Sequence, residues 1–383
     1  MRRLPLVLLA LLGAECSLAD RPPQAMQDGP VRERDVITAI RDGVAYLLRA
    51  QNANGSWGGP GGSTGYDLWA PPPGSHDAFR SATTALCVLA LMEAKGPPEP
   101  IRRGLEWLLS TDPPLRAEPA VIYNVWGHIY SVQTLGAAYE AEGDELTRAR
   151  IRAAAERHLD LLARYETVYG GWNYYDFNIG ARSPGSWPTS FGTAAAAVAF
   201  FDAQRAGMDV PEDMARRAVE AVAGCRKPDG SYLYDLGWRY MPMFPANQPK
   251  GGLGRMQAGN VALFVWGSPE VDKAGLKAGF DRMAEDHRFL EVGRKRQYPH
   301  EAFYYNSGYY YYFGHYYAAR AIELMDPGDR KGRRGRLASF ILPHQEEDGS
   351  WWDYSMFSYH KPYGTAYAVM ALLRCLDAPY RPK

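Results

Sequence analysis

The chain has 383 residues, of which 43 are basic and 43 acidic, so its formal net charge is zero. That balance lacks the basic excess that phosphate backbones require, which argues against a nucleic-acid partner. With 46% hydrophobic and 22% charged residues, the composition is globular and leaves room for a large core.

Arg2 and Arg3 precede an apolar run from Leu4 to Leu12 that is too short to span a bilayer. This is the pattern of a secretory signal over residues 1–19, with cleavage after Ala19 where Ser17 and Ala19 supply the small residues. Glu15 before Cys16 argues against a lipoprotein. A flexible linker over 20–32 and a single domain over 33–380 follow, and the protein reads as exported, periplasmic or secreted. No later stretch is apolar enough to cross a membrane. Cys87, Cys225 and Cys375 are widely spaced, which fits neither a disulfide framework nor a zinc site, and no metal or cofactor is implied.

Beyond residue 33 a turn signature recurs: Gly55-Ser-Trp57, Gly170-Gly-Trp172, Gly230-Ser-Tyr232 and Gly349-Ser-Trp351. The spacings are multiples of about 58 residues, the mark of a repeat architecture. Each period contains two helical patterns. One is amphipathic, as in Val36, Ile40, Val44 and Leu47; the other is rich in small residues, as in Thr193 to Phe201. In chain order, outer helices are expected near 33–50, 100–110, 145–165, 211–225, 269–290 and 330–344. Inner helices are expected near 78–95, 123–142, 189–206, 255–267, 308–326 and 362–377. Val210-Pro211 and Ser268-Pro269 read as helix starts; Gly143, Gly207 and Pro327-Gly328 read as stops. The first and last hairpins are as apolar as the rest, so a closed ring is favoured over an open solenoid with polar caps. The fold class is all-α, an (α/α)6 toroid of six helical hairpins and twelve helices.

Tyr46-Leu47-x-x-x-Gln51-x-x-x-Gly55-x-Trp57 resembles the QW motif of squalene and oxidosqualene cyclases, and Phe340-Ile341-x-x-x-Gln345-x-x-x-Gly349-x-Trp351 is a second full match. The resemblance covers nearly all of the chain beyond the signal and implies the toroid of the squalene cyclase and prenyltransferase (terpenoid cyclase) superfamily. The motif is structural in that family and implies little about chemistry. The catalytic signatures are absent: there is no Asp-x-Asp-Asp acid run and no Asp-Cys-Thr. Cys225 lacks the Asp two residues earlier that would mark prenyltransferase zinc, and Gly224-Cys225-Arg226 does not continue as a thioester sequence.

Three constellations are candidates for lining the centre of the toroid. The run from Tyr304 to Tyr317, with Tyr311 and Tyr312 at its heart, is a candidate aromatic wall, joined by Trp126, Tyr175, Trp352 and His300; rim packing is the structural alternative. Trp126-Gly-His128 echoes Phe313-Gly-His315 three hairpins later, which would set the two histidines opposite one another for acid–base work; capping of backbone is the alternative. Asp67, Asp176, Asp235 and Asp353 follow aromatic turns, so the favoured reading is turn and cap residues, with general acids as the functional alternative. These residues support an exported toroid with a small-molecule, isoprenoid or glycan ligand in an aromatic cavity. A carbohydrate-active enzyme, a terpenoid cyclase-like enzyme and a protein-binding scaffold are the alternatives, and the oligomeric state stays open.

Overall fold

In the computed structural model the described residues are 31–61, 71–178 and 183–382. The signal segment, most of the linker and Asp67 lie outside them. Two kinds of helix alternate along the chain, for a reason visible in their side chains. The outer helices are α1 (Glu33–Arg49), α3 (Pro98–Ser110), α5 (Glu145–Tyr165), α7 (Glu212–Cys225), α9 (Lys273–Glu285) and α12 (Pro327–Ile341). Each buries one stripe; in α1 this is Val36, Ala39, Ile40, Gly43 and Leu47. The inner helices are α2 (Ser75–Glu93), α4 (Asn124–Ala141), α6 (Ser190–Arg205), α8 (Leu253–Val265), α11 (Tyr310–Leu324) and α13 (His360–Leu373). These are buried nearly all round, so their small residues meet neighbours on every side. α8 and α11 approach one another closely: a Cβ on Gly314 would lie 2.7 Å from the Gly254 Cα.

The inner helices pack in the order α2, α4, α6, α8, α11, α13 and back to α2, which closes an (α/α)6 toroid with no β-strand among the described residues. Each outer helix lies principally against the inner helix that precedes it in sequence, because those two are joined by tight turns, whereas long loops lead to the next inner helix. Only α13 has no successor, and α1 covers it. One expected helix start moves. Pro269 lies in a turn, and α9 begins at Lys273 because the Asp272 carboxylate accepts the Gly275 N–H at 2.8 Å. The expected helix over 269–290 also divides, with a short α10 (Arg288–Glu291) after the break.

The turns that link outer to inner helices share one construction. The Trp57 indole N–H donates to the Leu47 carbonyl at 2.8 Å, Trp172 to Leu162 at 2.8 Å and Trp351 to Ile341 at 3.0 Å. Each acceptor sits ten residues upstream, at or near the end of an outer helix, where carbonyls lack helical partners. The backbone N–H of each tryptophan is taken by a threonine hydroxyl of an inner helix: Thr84, Thr193 and Thr365. Gln51 and Gln345 carry the turn to the neighbouring outer helix, donating to Pro100 and Ala39 carbonyls at 2.9 and 3.0 Å. Gly55 and Gly349 have φ of 91° and 85°, and a Cβ would strike the Arg103 or Asp42 carbonyl.

Two stability outcomes follow from this packing. Trp351→Phe leaves the Ile341 carbonyl unpaired in the interior and should cost about 2 kcal/mol in urea unfolding. Gly332 and Gly335 sit inside α12 with open space around them. Alanine at either should raise stability by about 0.5–1 kcal/mol, since glycine in a helix interior is entropically costly.

Candidate functional site

The N-terminal parts of five inner helices, α2, α4, α6, α11 and α13, surround a cavity of about 520 Å³ that opens at one end of the toroid. Its wall is drawn from helical stripes. Phe79, Ala82, Thr83 and Leu86 come from α2, Trp126, Ile129 and Tyr130 from α4, and Tyr310 and Phe313 from α11. Phe191 and Ala195 of α6 and Tyr363 and Tyr367 of α13 complete the deep part, while Tyr123, Tyr174, Tyr175, His300, Tyr309 and Met356 form the mouth.

Most of the phenol hydroxyls are turned toward one another or toward a buried partner, which leaves ring faces and edges for a ligand. Tyr123 bonds Tyr175, Tyr174 bonds Tyr234, and Tyr367 donates to Tyr130. Tyr123 and Trp126 stack with centroids 5.8 Å apart, and Phe191 stands edge-on to Tyr310 at 5.2 Å. Burial holds the hydroxyls of Tyr174, Tyr309, Tyr363 and Tyr367 well above the ordinary phenol value, so they stay protonated donors. Among the described residues no Asp, Glu, Lys or Arg lines the cavity.

Two of the wall tyrosines lead to titratable groups. His300 Nδ1 lies 2.8 Å from the Tyr305 carbonyl, which assigns the proton to Nδ1 and leaves Nε2 to accept the Tyr309 O–H at 3.1 Å. Burial lowers the His300 pKa, so this imidazole is a neutral acceptor. Tyr363 donates to Asp353 Oδ1 at 2.7 Å, and Asp353 Oδ2 accepts the Tyr312 N–H at 3.0 Å. Asp353 is fully buried, and burial pushes its carboxyl up to about 6 against those bonds. The arrangement places a buried carboxyl behind the Tyr363 phenol, one hydroxyl removed from the cavity, and an acceptor imidazole beside Tyr309 at the mouth itself. Backbone strain gathers around the same mouth: His300, Tyr304, Tyr305 and Phe357 all have positive φ without being glycine.

Of the residues singled out in the sequence, Trp126, Tyr175 and His300 line the cavity. Tyr311 and Tyr312 do not, because one helical position turns a side chain by about 100° and the lumen face of α11 runs through Tyr310 and Phe313. Tyr311 instead donates to the Phe340 carbonyl of α12 at 2.8 Å. Trp352 packs outside the cavity, with the Lys295 ammonium 4.3 Å from its ring. The histidines do not face one another across the toroid. His128 turns to the outer layer, where its Nδ1 lies 2.9 Å from His158 Nδ1, and His315 Nε2 lies 2.9 Å from His287 Nε2. Both pairs are buried, and burial lowers all four pKa values, to about 4 for His315 and about 3 for His158. Asp176 is held by Arg116 at 2.9 Å and caps Asn178. Asp235 caps the turn at Leu236–Tyr240 through Gly237 N–H at 2.8 Å, with burial raising it to about 6. Neither aspartate reaches the cavity. The i, i+3, i+4 spacing of Trp126, Ile129 and Tyr130, and of Phe79, Ala82 and Thr83, is the sequence signal that points to the missed wall residues. Among the described residues no group of three or more His, Cys, Asp or Glu side chains could hold a metal ion.

No protein-family model matches the chain, and no curated protein matches it in sequence. Solved structures do match it in shape. A type II terpene cyclase from Scytonema superposes with a TM-score of 0.53 at 14% identity, covering 90% of this chain and 98% of that one. A cellobiose 2-epimerase from Spirochaeta thermophila gives 0.55 at 15%, with the same coverage. An α-1,6-mannanase from Salegentibacter gives 0.55 at 10%, covering 88% of this chain and 98% of that one. The fold is shared. It is the toroid that the cyclase resemblance implied, and at these identities the likeness carries the fold alone.

The buried carboxyl and imidazoles make opposite contributions to stability as pH changes. Asp353 has a folded value near 6 against an ordinary 3.8, so its contribution is present below about pH 4 and lost as pH rises through 6. Asp353→Asn should therefore gain on the wild type by roughly 2 kcal/mol between pH 4 and pH 7. The histidine pairs have lowered folded values, so their contribution is present above pH 6.5 and lost as pH falls; for His315 the loss spans 6.5 to about 4. Urea unfolding of both proteins at pH 4, 5.5 and 7 measures the difference directly.

Proposed function

We propose that this chain is an exported toroid that holds an apolar ligand of the isoprenoid class in its aromatic cavity. The observation that carries the reading is the wall itself: aromatic and aliphatic side chains, with most of the phenol hydroxyls already paired and no carboxylate among the described residues that line it. A volume of about 520 Å³ lies within the usual range for small-molecule sites. Burying an apolar chain against such a surface is favourable by about 25 cal/mol per Å². Glycoside hydrolysis needs two carboxyl groups flanking the sugar, and Asp176, Asp235 and Asp353 are all engaged outside the wall. Among the described residues no helix is long and apolar enough to cross a membrane. Export rests on the signal pattern of residues 1–19, and the mature chain should begin at Asp20 when its N-terminus is sequenced after expression in a secreting host.

The ligand reading is tested by titrating the mature chain with farnesol and, separately, with cellobiose and mannobiose, following tryptophan fluorescence. Trp126 lines the cavity, so farnesol should change the emission saturably while the sugars leave it unchanged. Ala195→Trp fills the lumen, and Phe313→Ala removes a wall ring; each should weaken farnesol binding by about tenfold or more. Saturable sugar binding without a farnesol response would overturn the proposal.

A further inference from the structure

The other end of the toroid holds a second cavity, of about 400 Å³, with different chemistry. All six inner helices finish around it. Glu93, Arg205, Val265 and Leu324 are the last residues of α2, α6, α8 and α11, Glu140 is next to last in α4, and Arg374 follows α13. A layer of tyrosines separates it from the aromatic cavity. Tyr130 and Tyr367 face the aromatic side, Tyr316 and Gln133 face this one, and the rings of Tyr316 and Tyr367 lie 5.4 Å apart.

The charges of this cavity form a fixed lattice. Arg320 gives both terminal nitrogens to Asp202 at 2.8 Å, and Arg374 is shared between Glu93 and Glu323 at 2.9 Å. Two guanidinium groups thus meet three carboxylates, which leaves one negative charge in excess. Glu140 and Arg205 at the rim have no ion pair among the described residues and offset one another. The converging C-terminal ends of the inner helices add further negative potential, which favours a cation.

Gln133 supplies a separate observation. It is 3% exposed, and its Nε2 donates to Asp202 at 2.9 Å, which sets the orientation of the amide. Its Oε1 then has no hydrogen-bond partner among the described residues. An interior acceptor left unpaired is unfavourable, and a small turn of the amide toward the cavity would let a ligand's donor relieve it. Excess negative charge, helix C-termini and an unpaired acceptor all select the same kind of molecule.

We propose that this second cavity binds a small organic cation with several N–H donors, of the diamine or alkyl-guanidine class. The site is separate from the aromatic cavity and does not depend on what that cavity holds.

The test is isothermal titration of the mature chain at low ionic strength with putrescine and agmatine, with succinate and glycerol as controls. One-to-one binding of an amine is expected, weakening as salt is added, with no heat from succinate or glycerol. Glu140→Gln, at an exposed position, should weaken amine binding by about fivefold without altering the melting temperature. Gln133→Met, which removes the acceptor, should weaken it by about tenfold or more. Ala195→Trp, which fills only the aromatic cavity, should leave it unchanged. Absence of saturable amine binding, equal binding of succinate, indifference to both Glu140→Gln and Gln133→Met, or loss of amine binding in Ala195→Trp would each overturn the proposal.

Discussion

A buried indole N–H that reaches a carbonyl ten residues back governs the rest of this molecule. Trp57, Trp172 and Trp351 each join the tail of an outer helix to the loop that leaves it, while a threonine from an inner helix takes the tryptophan backbone N–H. Three layers meet at one residue: outer helix, loop and inner helix. The glutamine before each full turn adds a fourth partner, the next outer helix around the toroid. The angle between neighbouring units is therefore set by a few directed bonds, and undirected apolar packing fills in around them. Tyr232 occupies the corresponding place in a fourth unit without an indole, and its hydroxyl reaches Asn260 of α8 at 3.0 Å. That geometry is different, and it lies beside the segment between α7 and α8, which folds into three short helical turns.

The architecture was legible because repetition, periodicity and punctuation agree. The spacing of Gly55, Gly170, Gly230 and Gly349 announces the unit, and the alternation of striped and small-residue helices separates the two layers. The pairing of helices was not legible in the same way. A sequence of alternating helices does not say whether a helix embraces the one before or the one after, and short inner-to-outer turns decide it here. The start at Pro269 failed because a proline permits a helix start without requiring one, and Asp272 offers a better cap three residues later.

The candidate site was legible in kind and not in detail. Aromatic richness pointed to an aromatic cavity, and Trp126, Tyr175 and His300 are in it. Within a run such as Tyr309 to Tyr312, composition is uniform, so only the helical phase separates residues that face the lumen from those that face a neighbour. That phase turns Gly314 onto Gly254 of α8, a contact distant in sequence. The echo between His128 and His315 was real as a repeat and misleading as a site, because each imidazole found its partner in the outer layer. Buried aspartates show the same limit: Asp176, Asp235 and Asp353 recur after aromatic turns, and each is spent on a cap, an ion pair or a phenol.

The way α1 lies on α13 has a consequence for how the chain reaches this shape. Arg49 donates to the Asp348 carbonyl 299 residues away, and Gln345 donates to Ala39 across 306. Five of the six units can form from neighbours in sequence, as in any helical array, but the sixth is assembled from the two extremes of the domain. Closure must wait until synthesis has delivered the last helix, and the loop it closes is nearly the whole domain. Chains rich in such distant contacts fold slowly relative to helical bundles of local connectivity. Until then α1 and α2 show apolar surface that only α13 covers, so an unfinished chain exposes a sticky seam. The same seam makes the completed toroid cooperative: no edge remains from which it can fray one unit at a time, as an open solenoid does.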